Sequence, residues 1–401
     1  MIVQSRYRWA VLATGASVQV VMTLPTQGLA SVAPAIQHHF NVTLVQTGLL
    51  LTSANIGVAT SMLAWGFLAD RFSERWALTV GLSLAAIAIA VAAAERSYLA
   101  VVVTLALAGM FGAVANAGSG RALMAWFNRA ELGLALGIRQ MASPVGGAMG
   151  SILLPFVVLD FGLPGALRVI AGCVAASGLA AAIVLRVKDP KRIEAPRPLD
   201  GSALRDTRLW RLTAAAALLV ATQMAFITYV TLFLTQVKGF GVIPAAETLA
   251  AIQLGGGLTR VVVGRASDKL GRRIAPFRWL VLAASVCLGV VGAAALGPSL
   301  LVMGLLIVTG WLLTMAFGLN YAATAEMVGR ARVGIAFGFQ GTLTSAGAAI
   351  GPAAFGLIVG AAGWRAGYLT LAVASLAIWV VLAPLVPEEA RNWARAAAPA
   401  R

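Results

Sequence analysis

The sequence predicts an all-α membrane protein with twelve transmembrane helices in two repeated halves. Hydrophobic residues make up 60% of the 401 residues and charged residues only 11%, whereas a soluble globular chain is about one quarter charged. Apolar stretches of about 20 residues, the length that an α-helix needs to cross a bilayer, follow one another along almost the whole chain. A short polar motif also occurs twice, about half a chain apart. These three observations favour lipid rather than water as the solvent.

Twelve apolar segments carry the prediction of twelve helices. Each is interpreted as a helix because an open sheet edge leaves backbone groups without hydrogen bonds in hydrocarbon. The alternating apolar and polar pattern of a membrane β-barrel is absent from the sequence. The segments lie near residues 8–32, 44–69, 75–94, 98–126, 131–158, 163–186, 209–237, 244–267, 274–296, 299–326, 331–360 and 363–386.

The repeated motifs indicate that the chain is duplicated. Gly66–Arg75 (GFLADRFSER) recurs 198 residues later as Gly264–Arg273 (GRASDKLGRR), and both copies follow a long apolar segment. Gly133–Arg139 (GLALGIR) recurs 201 residues later as Gly334–Gln340 (GIAFGFQ). Two matches at nearly one offset predict a duplicated membrane unit. Parallel repeats of this kind build secondary transporters, which hold the substrate at the interface of the repeats.

The net charge of +16 is distributed in a way that predicts the orientation of the chain. If successive spans alternate in direction, most Lys and Arg residues fall on one side of the membrane, which by the positive-inside rule is the cytoplasm. Both termini are then cytoplasmic, and the charge reflects topology rather than nucleic-acid binding. A proline-broken, charged connector divides the chain into an N-terminal six-helix bundle (1–186), a cytoplasmic linker (187–208) and a C-terminal six-helix bundle with a short cytoplasmic tail (209–401).

Few residues in the sequence are suited to catalysis or to holding a cofactor. Cys173 and Cys287 each lie inside an apolar span and predict no disulfide framework. No Gly-rich loop ends in Gly-Lys-Ser/Thr, so nucleotide hydrolysis is not predicted. A membrane-embedded enzyme acting on lipid or glycan would need converging acids, a metal cluster or a nucleophile–base pair, and His38 and His39 are the only histidines. We therefore predict no metal, no cofactor and no enzymatic activity.

The two loop motifs, the twelve spans and the connector together resemble the major facilitator superfamily across essentially the full chain. The loop signature of that family reads roughly Gly-x-Leu-Ala-Asp-Arg-x-Gly-Arg-Arg; the second copy here is nearly complete, and the first departs from it at Ser73 and Glu74. The resemblance implies two pseudo-symmetric six-helix bundles around a cavity that opens alternately to the two sides of the membrane. Carboxylates at helix–loop corners can accept backbone N–H hydrogen bonds and pair with arginines. A cytoplasmic gate is therefore expected from Asp70, Arg71, Arg75, Asp268, Arg272 and Arg273.

Three arginines, Arg121, Arg139 and Arg260, lie within apolar spans. A charged side chain costs several kcal/mol near the bilayer centre unless it faces protein or water. At 1.5 Å per residue, Arg139 and Arg260 lie about 12 Å from the cytoplasmic ends of their spans. No Asp or Glu lies deep in a span to neutralise these cations. An anionic ligand is the simplest remaining partner.

Family resemblance suggests a role for each of these arginines. Arg260 is similar to the helix 8 arginine of the monocarboxylate and oxalate/formate branches, which binds a substrate carboxylate. Arg121 is similar to the helix 4 arginine of the anion–cation symporter branch. Helices 5 and 8 of the superfamily face one another across the cavity, so Arg139 and Arg260 are expected to grip one anion, with Arg121 in support. Structural alternatives are that Arg121 snorkels to lipid headgroups, that Arg139 bonds a carbonyl near Pro144, and that Arg260 joins the loop network.

Further polar residues within the spans are candidates to line the cavity. Gln19, Thr23 and Gln27 have the i, i+4, i+8 spacing of one helix face, which favours a stripe facing water. Polar residues in helix bundles also commonly bond a neighbouring helix. The other candidates are Asn55, Asn116, Gln140, Gln223, Tyr229, Asn320, Tyr321 and Gln340.

From these residues we expect a secondary carrier of small organic anions, multi-pass and monomeric among the lipids of a bacterial inner membrane. Its substrate would be a mono- or short dicarboxylate that moves with a proton or in exchange for another anion. The main alternative is a drug/proton antiporter, because Ser143–Gly147 partly matches the helix 5 signature of exporters, although Arg139 in the same helix would repel a cation. A non-transporting membrane sensor is a further alternative.

Overall fold

The computed structural model describes residues 2–71, 73–115, 129–185, 205–293, 299–328, 333–389 and 391, almost all of them helical and none of them in a β-strand. The predicted all-α fold is confirmed. Short 3₁₀ helices occur at Gly28–Val32 and Ala383–Leu385. The α-helices are α1 (Ile2–Thr23), α2 (Ala33–Phe40), α3 (Leu44–Arg71), α4 (Glu74–Ala94), α5 (Tyr98–Gly112), α6 (Arg129–Val184), α7 (Thr207–Gln236), α8 (Val242–Leu270), α9 (Ile274–Ala293), α10 (Ser299–Val328) and α11 (Val333–Val381).

The first predicted span is not one helix. The prediction of a continuous helix near residues 8–32 is wrong, because α1 ends at Thr23 and the chain turns before the 3₁₀ helix. Pro25 stands in this turn and has no N–H with which to continue the helical ladder. Helix α2 ends at Phe40, and Asn41 caps it. The left-handed backbone of Asn41 (φ 50°, ψ 50°) is tolerated by few residues other than glycine and asparagine.

Two long helices each contain one break, and the breaks occupy equivalent positions in the repeat. Gly162 interrupts α6 with φ 67° and ψ −177°, and Gly363 interrupts α11 with φ 81° and ψ 171°. Positive φ of this kind is readily adopted only by glycine. The two glycines are 201 residues apart, the offset of the second sequence motif. The duplication therefore extends to the backbone geometry.

Seven stretches among the described residues are long and apolar enough to cross a membrane. Two of them, Ile138–Val184 and Ala336–Glu389, contain the breaks at Gly162 and Gly363. The other stretches are Tyr7–Phe40, Arg75–Ala94, Thr207–Gln236, Ile274–Ala293 and Leu300–Val328. The exact number of crossings and the orientation of the termini stay predictions.

The chain divides into two compact units. Met1–Arg197 with Phe240–Ala250 form the first, here called the amino-terminal unit, and Pro198–Gly239 with Ala251–Arg401 form the second, the carboxy-terminal unit. In the amino-terminal unit, α1 and α4 pack on α6, and α3 packs on α5.

Small residues set the closest helix contacts in the amino-terminal unit. A Cβ atom placed on Gly109 of α5 would lie 1.9 Å from the carbonyl oxygen of Ala54 on α3. A Cβ atom placed on Gly146 of α6 would lie 2.2 Å from the carbonyl oxygen of Val20 on α1. Since lipid supplies no hydrophobic drive between helices, such backbone contact supplies packing energy instead.

The carboxy-terminal unit repeats this packing. Helix α7 packs on α11, and α9 packs on α10 and α11. A Cβ atom on Gly347 of α11 would lie 2.3 Å from the carbonyl oxygen of Ala217 on α7. Gly347 follows Gly146 by 201 residues, so the α1–α6 crossing of one unit recurs as the α7–α11 crossing of the other.

An aromatic core fills the carboxy-terminal unit. The ring of Tyr229 lies 5.1 Å from that of Phe355, and the ring of Phe233 lies 4.8 Å from that of Tyr368 (centroid distances). All four side chains are at most 2% exposed. Tyr229, a candidate cavity residue from the sequence, is part of this sealed core.

Candidate functional site

Arg260 is held against one face of α10. It lies on α8, ten residues before the end of that helix, and its side chain is half-buried. A Cβ atom on Gly318 would lie 2.7 Å from Arg260 Cγ. Glycine at position 318 therefore leaves room for the aliphatic part of the Arg260 side chain. The guanidinium carbon lies 5.2 Å from the centre of the Phe317 ring, within the range of a cation–π contact. Arg260 Nε donates to the carbonyl oxygen of Thr314 at 3.3 Å.

The guanidinium of Arg260 has no acidic partner among the described residues. Its Nη1 and Nη2 groups donate to no described residue either. Its described contacts lie on α10. Asp268, on the same helix as Arg260, has its side chain outside the described part of the chain. The described contacts therefore orient the cation without neutralising its charge.

Thr314 joins three helices beside Arg260. Gln223 of α7 donates through Nε2 to Thr314 Oγ1 at 3.0 Å, and that hydroxyl donates to Gly310 O at 2.8 Å. A Cβ atom on Gly256 of α8 would lie 2.9 Å from Thr314, so the two helices approach closely here. Gln223 is 7% exposed and Thr314 is 2% exposed. Of the predicted site residues, Gln223 and Arg260 are thus brought together through one threonine.

A row of three aromatic rings extends from the Arg260 contact. The centroids of Phe317 and Tyr321 are 5.3 Å apart with an interplanar angle of 74°. Those of Tyr321 and Phe337 are also 5.3 Å apart, at 76°. We call Phe317, Tyr321 and Phe337 the aromatic row. All three side chains are half-buried, so the predicted site residue Tyr321 lies in the same neighbourhood as Arg260.

Asn320 and Gln340 form a buried amide pair between α10 and α11. Both are 0% exposed. Gln340 Nε2 donates to Asn320 Oδ1 and to Thr324 Oγ1, each at 3.1 Å. Within the described part of the chain, Asn320 Nδ2 and Gln340 Oε1 have no hydrogen-bond partner. The predicted site residues Asn320 and Gln340 therefore meet each other in the interior of the unit.

Arg139 of the amino-terminal unit is buried, with 8% of its surface exposed. Its Nη2 donates to Gln19 Oε1 on α1 and to the carbonyl oxygen of Ala115, each at 3.5 Å. The carbonyl is thus that of Ala115 rather than one near Pro144. Both oxygens are neutral, and both contacts are longer than an ordinary N–H···O hydrogen bond. Gln19 on α1 and Ala115, which follows α5, therefore position this guanidinium.

The predicted polar stripe on the first helix is only partly present. Thr23 is 2% exposed and bonds back to the carbonyl oxygen of Gln19 at 2.8 Å. Gln27 lies beyond the end of α1, so the prediction that all three residues share one helix face is wrong. Asn55 on α3 is half-buried and Gln140 on α6 is exposed. Asn116 and Arg121 lie outside the described residues.

Arg273 of the second loop motif is the centre of an ionic cluster. Its Nε lies 2.9 Å from Glu326 Oε1 at the end of α10, and its Nη1 donates to Ser267 Oγ at 3.0 Å. Glu389 accepts hydrogen bonds from the backbone N–H groups of Arg273, Ile274 (2.8 Å) and Ala275 (3.2 Å). This carboxylate thereby caps the first turn of α9.

The remaining predicted gate residues are less fully defined. Arg75 and Arg272 are exposed. Asp70 and Arg71 end α3, but their side chains lie outside the described part of the chain. Sequence reasoning did not include Glu326 or Glu389 in the gate. The sequence marks Glu326 as a carboxylate at a helix end predicted to be cytoplasmic, whereas Glu389 lies 115 residues from Ile274 and carries no local signal of that contact.

Arg139 is buried and Arg260 is half-buried in a repeated, all-helical fold with long apolar helices, a combination typical of membrane transport proteins. The comparisons with known proteins agree with this class. The family model of the Major Facilitator Superfamily matches residues 15–291 and 248–399. The chain belongs to this superfamily. It is therefore a membrane transporter rather than an enzyme, and it has the major facilitator fold.

Individual proteins show how far the similarity extends. The chain is 33% identical over 388 residues to the "Uncharacterized MFS-type transporter MT3072" of Mycobacterium tuberculosis, covering 95% of this chain and 85% of that protein. It is 30% identical over 260 residues to the "Probable nitrate/nitrite transporter NarK2" of the same organism, covering 63% of this chain and 64% of that protein. A bacterial homologue of the human lysosomal transporter Spinster, solved inward-facing and occupied, aligns with a TM-score of 0.78 over 98% of this chain and 99% of its own, at 15% identity.

Proposed function

We propose that this transporter carries a small organic anion, a mono- or short dicarboxylate, across a bacterial inner membrane by alternating access. The observation that carries the proposal is the guanidinium of Arg260. It lies on α8, within the span predicted near residues 244–267, its described contacts are neutral, and its two Nη groups donate to no described residue. A carboxylate presents two coplanar oxygens that match the two parallel donors of a guanidinium.

Arg139 supports the same assignment from the amino-terminal unit. This residue is 8% exposed, and a charged side chain inside a membrane-spanning segment commonly marks a substrate or ion pathway. Arg139 Nη2 donates to Gln19 Oε1 and to the Ala115 carbonyl oxygen, each at 3.5 Å. We assign Arg139 to anion recognition, with Gln19 as the residue that positions it. Arg121 keeps its proposed supporting role, on the sequence argument alone.

The ionic cluster around Arg273 is proposed as part of the cytoplasmic gate. The Arg273–Glu326 pair joins the start of α9 to the end of α10, and Glu389 joins that start to the segment after α11. Ion pairs at element ends can break and re-form as helices tilt, because half-exposed charges can be solvated in the open state. We propose that the anion moves either together with a proton or in exchange for another anion.

An inorganic oxyanion is the second candidate substrate. The 30% identity to NarK2, a protein named for nitrate and nitrite, favours it. Nitrate is planar and singly charged like a carboxylate, so the same guanidinium geometry would suit it.

Thermal stabilisation of the purified transporter separates these candidates. Acetate, succinate, nitrate and the lipophilic cation tetraphenylphosphonium would be titrated against the wild type and against Arg260→Lys. A ligand at 100 times its Kd stabilises the bound protein by about 2.7 kcal/mol. We expect stabilisation by acetate or succinate that is lost in Arg260→Lys. Stabilisation by nitrate alone would favour the inorganic candidate, and stabilisation by the cation alone would favour a drug/proton antiporter. Counterflow in liposomes then distinguishes transport from sensing.

A further inference from the structure

The carboxy-terminal unit contains two aromatic clusters with different surroundings. In the aromatic core, the rings of Tyr229, Phe233, Phe355 and Tyr368 are at most 2% exposed, and the half-buried Trp364 packs against three of them. The aromatic row, Phe317, Tyr321 and Phe337, keeps part of each ring accessible. Packing alone accounts for the first cluster. The second cluster differs because all three of its rings are half-buried and one of them contacts Arg260.

The aromatic row contacts Arg260 through Phe317. Phe317 lies under the guanidinium of Arg260, Tyr321 follows one turn later on the same face of α10, and Phe337 continues the row from α11. Both ring pairs are close to perpendicular, at 74° and 76°. In this arrangement the positive edge of one ring meets the negative face of the next, which is the favoured geometry for aromatic pairs.

We propose that the substrate of this transporter is an aromatic carboxylate. This inference rests on the proposed function, because it assigns the carboxylate group to Arg260. The ring of the substrate extends along the aromatic row and joins its edge-to-face pattern, with the carboxylate on the Nη groups. An acyclic aliphatic acid of the same charge would satisfy Arg260 but leave the rings without an aromatic partner. Aromatic pairs contribute about 0.5–1.5 kcal/mol beyond buried area, and 1.4 kcal/mol corresponds to tenfold in affinity.

The test compares benzoate with cyclohexanecarboxylate, which has the same charge and a six-membered ring without π electrons. Acetate serves as the ring-free reference, and affinities are measured by isothermal titration of the purified full-length transporter. We expect benzoate to bind about five- to tenfold more tightly than cyclohexanecarboxylate. Phe337→Leu should remove this preference, because the variant lacks one aromatic ring of the row. Phe156→Leu, at an exposed position on α6, is the control and should keep it.

Failure of this inference is distinguishable from failure of the proposed function. Equal affinity for benzoate and cyclohexanecarboxylate in the wild type overturns the aromatic assignment and needs no variant. If acetate binding is then still lost in Arg260→Lys, the organic-anion function stands. Absence of binding for all three acids, or binding that survives Arg260→Lys, overturns both. A benzoate preference that persists in Phe337→Leu, or that disappears equally in Phe156→Leu, also contradicts the role of the row.

Discussion

The carboxylate of Glu389 accepts the backbone N–H of Ile274 at 2.8 Å, across 115 residues of sequence. Glu389 thereby closes the first turn of α9 from the segment that follows α11. The first N–H groups of a helix have no partner within the helix, and a negative charge is favourable there. The segment after α11 is thereby hydrogen-bonded to the last residue of the second loop motif, Arg273, and to the start of α9.

Replacing Glu389 should therefore destabilise the carboxy-terminal unit. Loss of an N-terminal cap costs about 1–2 kcal/mol, so Glu389→Ala should lower the melting temperature by several degrees. Glu388→Ala is the matched control, because Glu388 lies 3.8 Å from Arg208 in an exposed ion pair, and such pairs contribute about 0–1 kcal/mol. Melting of both purified variants checks this. Equal shifts in the two would show that the cap contributes no more than a surface charge.

The helix crossing at Gly347 should be intolerant of even one methyl group. A Cβ atom there would lie 2.3 Å from Ala217 O, so Gly347→Ala should cost about 1–3 kcal/mol by overpacking. Gly304→Ala on α10 is the control, because a Cβ atom at Gly304 meets nothing within 4 Å. Removing a glycine from a helix interior should stabilise by about 0.5–1 kcal/mol. Opposite signs in the two melting temperatures are expected, and a stabilised Gly347→Ala would contradict the observed approach.

Substituting lysine for Arg260 should weaken anion binding although the charge remains. Lysine presents a compact ammonium in place of the planar fork, and a hydrogen bond to a charged group contributes about 1.5–3 kcal/mol. We expect at least about a tenfold loss of affinity, measured by titration with the best-binding carboxylate. Arg168→Lys, at an exposed arginine of α6, should bind as the wild type does. Wild-type affinity in Arg260→Lys would exclude Arg260 from the site.

The repeat allows a paired test of Arg139. Gln340 occupies the equivalent position 201 residues later, so glutamine is compatible with this buried environment. Arg139→Gln should keep the ligand-free melting temperature within a few degrees and lose at least about tenfold in anion affinity. The reverse change, Gln340→Arg, places an uncompensated charge at a site that is 0% exposed and should cost about 3 kcal/mol or more. Undiminished anion binding by Arg139→Gln would assign the arginine a structural role.

The buried amide pair should show strong coupling between its two members. Gln340→Leu leaves the Asn320 side chain without its partner, and an unpaired buried polar group costs about 1–3 kcal/mol. The double variant Asn320→Leu/Gln340→Leu removes both amides and should be more stable than the sum of the single variants predicts, by about 0.5–3 kcal/mol. Melting of the three variants gives this coupling. Additive effects would mean that the 3.1 Å contact between the amides contributes nothing.

Part of the site could be predicted from the sequence because its signal is local. Arg260 stands out as a charge in an apolar span, and that signal needs no knowledge of its neighbours. Thr314, Phe317 and Gly318, which hold it, lie 54 to 58 residues away on another helix. Their neighbours in the sequence are apolar, and no local pattern identifies them as contacts of Arg260. The same reasoning separates Gln19 from Gln27: spacing suggested one face, but the helix ended at Thr23.

That this protein is helical, duplicated and embedded in a membrane could be predicted without a structure. Those properties follow from composition and from an offset shared by two motifs, and hydrocarbon leaves a continuous apolar backbone few alternatives to the helix. Other contacts are visible only in the tertiary structure. Asn320 bonds Gln340 in the interior, Tyr229 packs in a buried aromatic core, and Phe317 lies beneath the guanidinium of Arg260. Lipid and the protein interior are both apolar, so the hydrophobic pattern of a membrane helix does not show which of its faces packs against other helices.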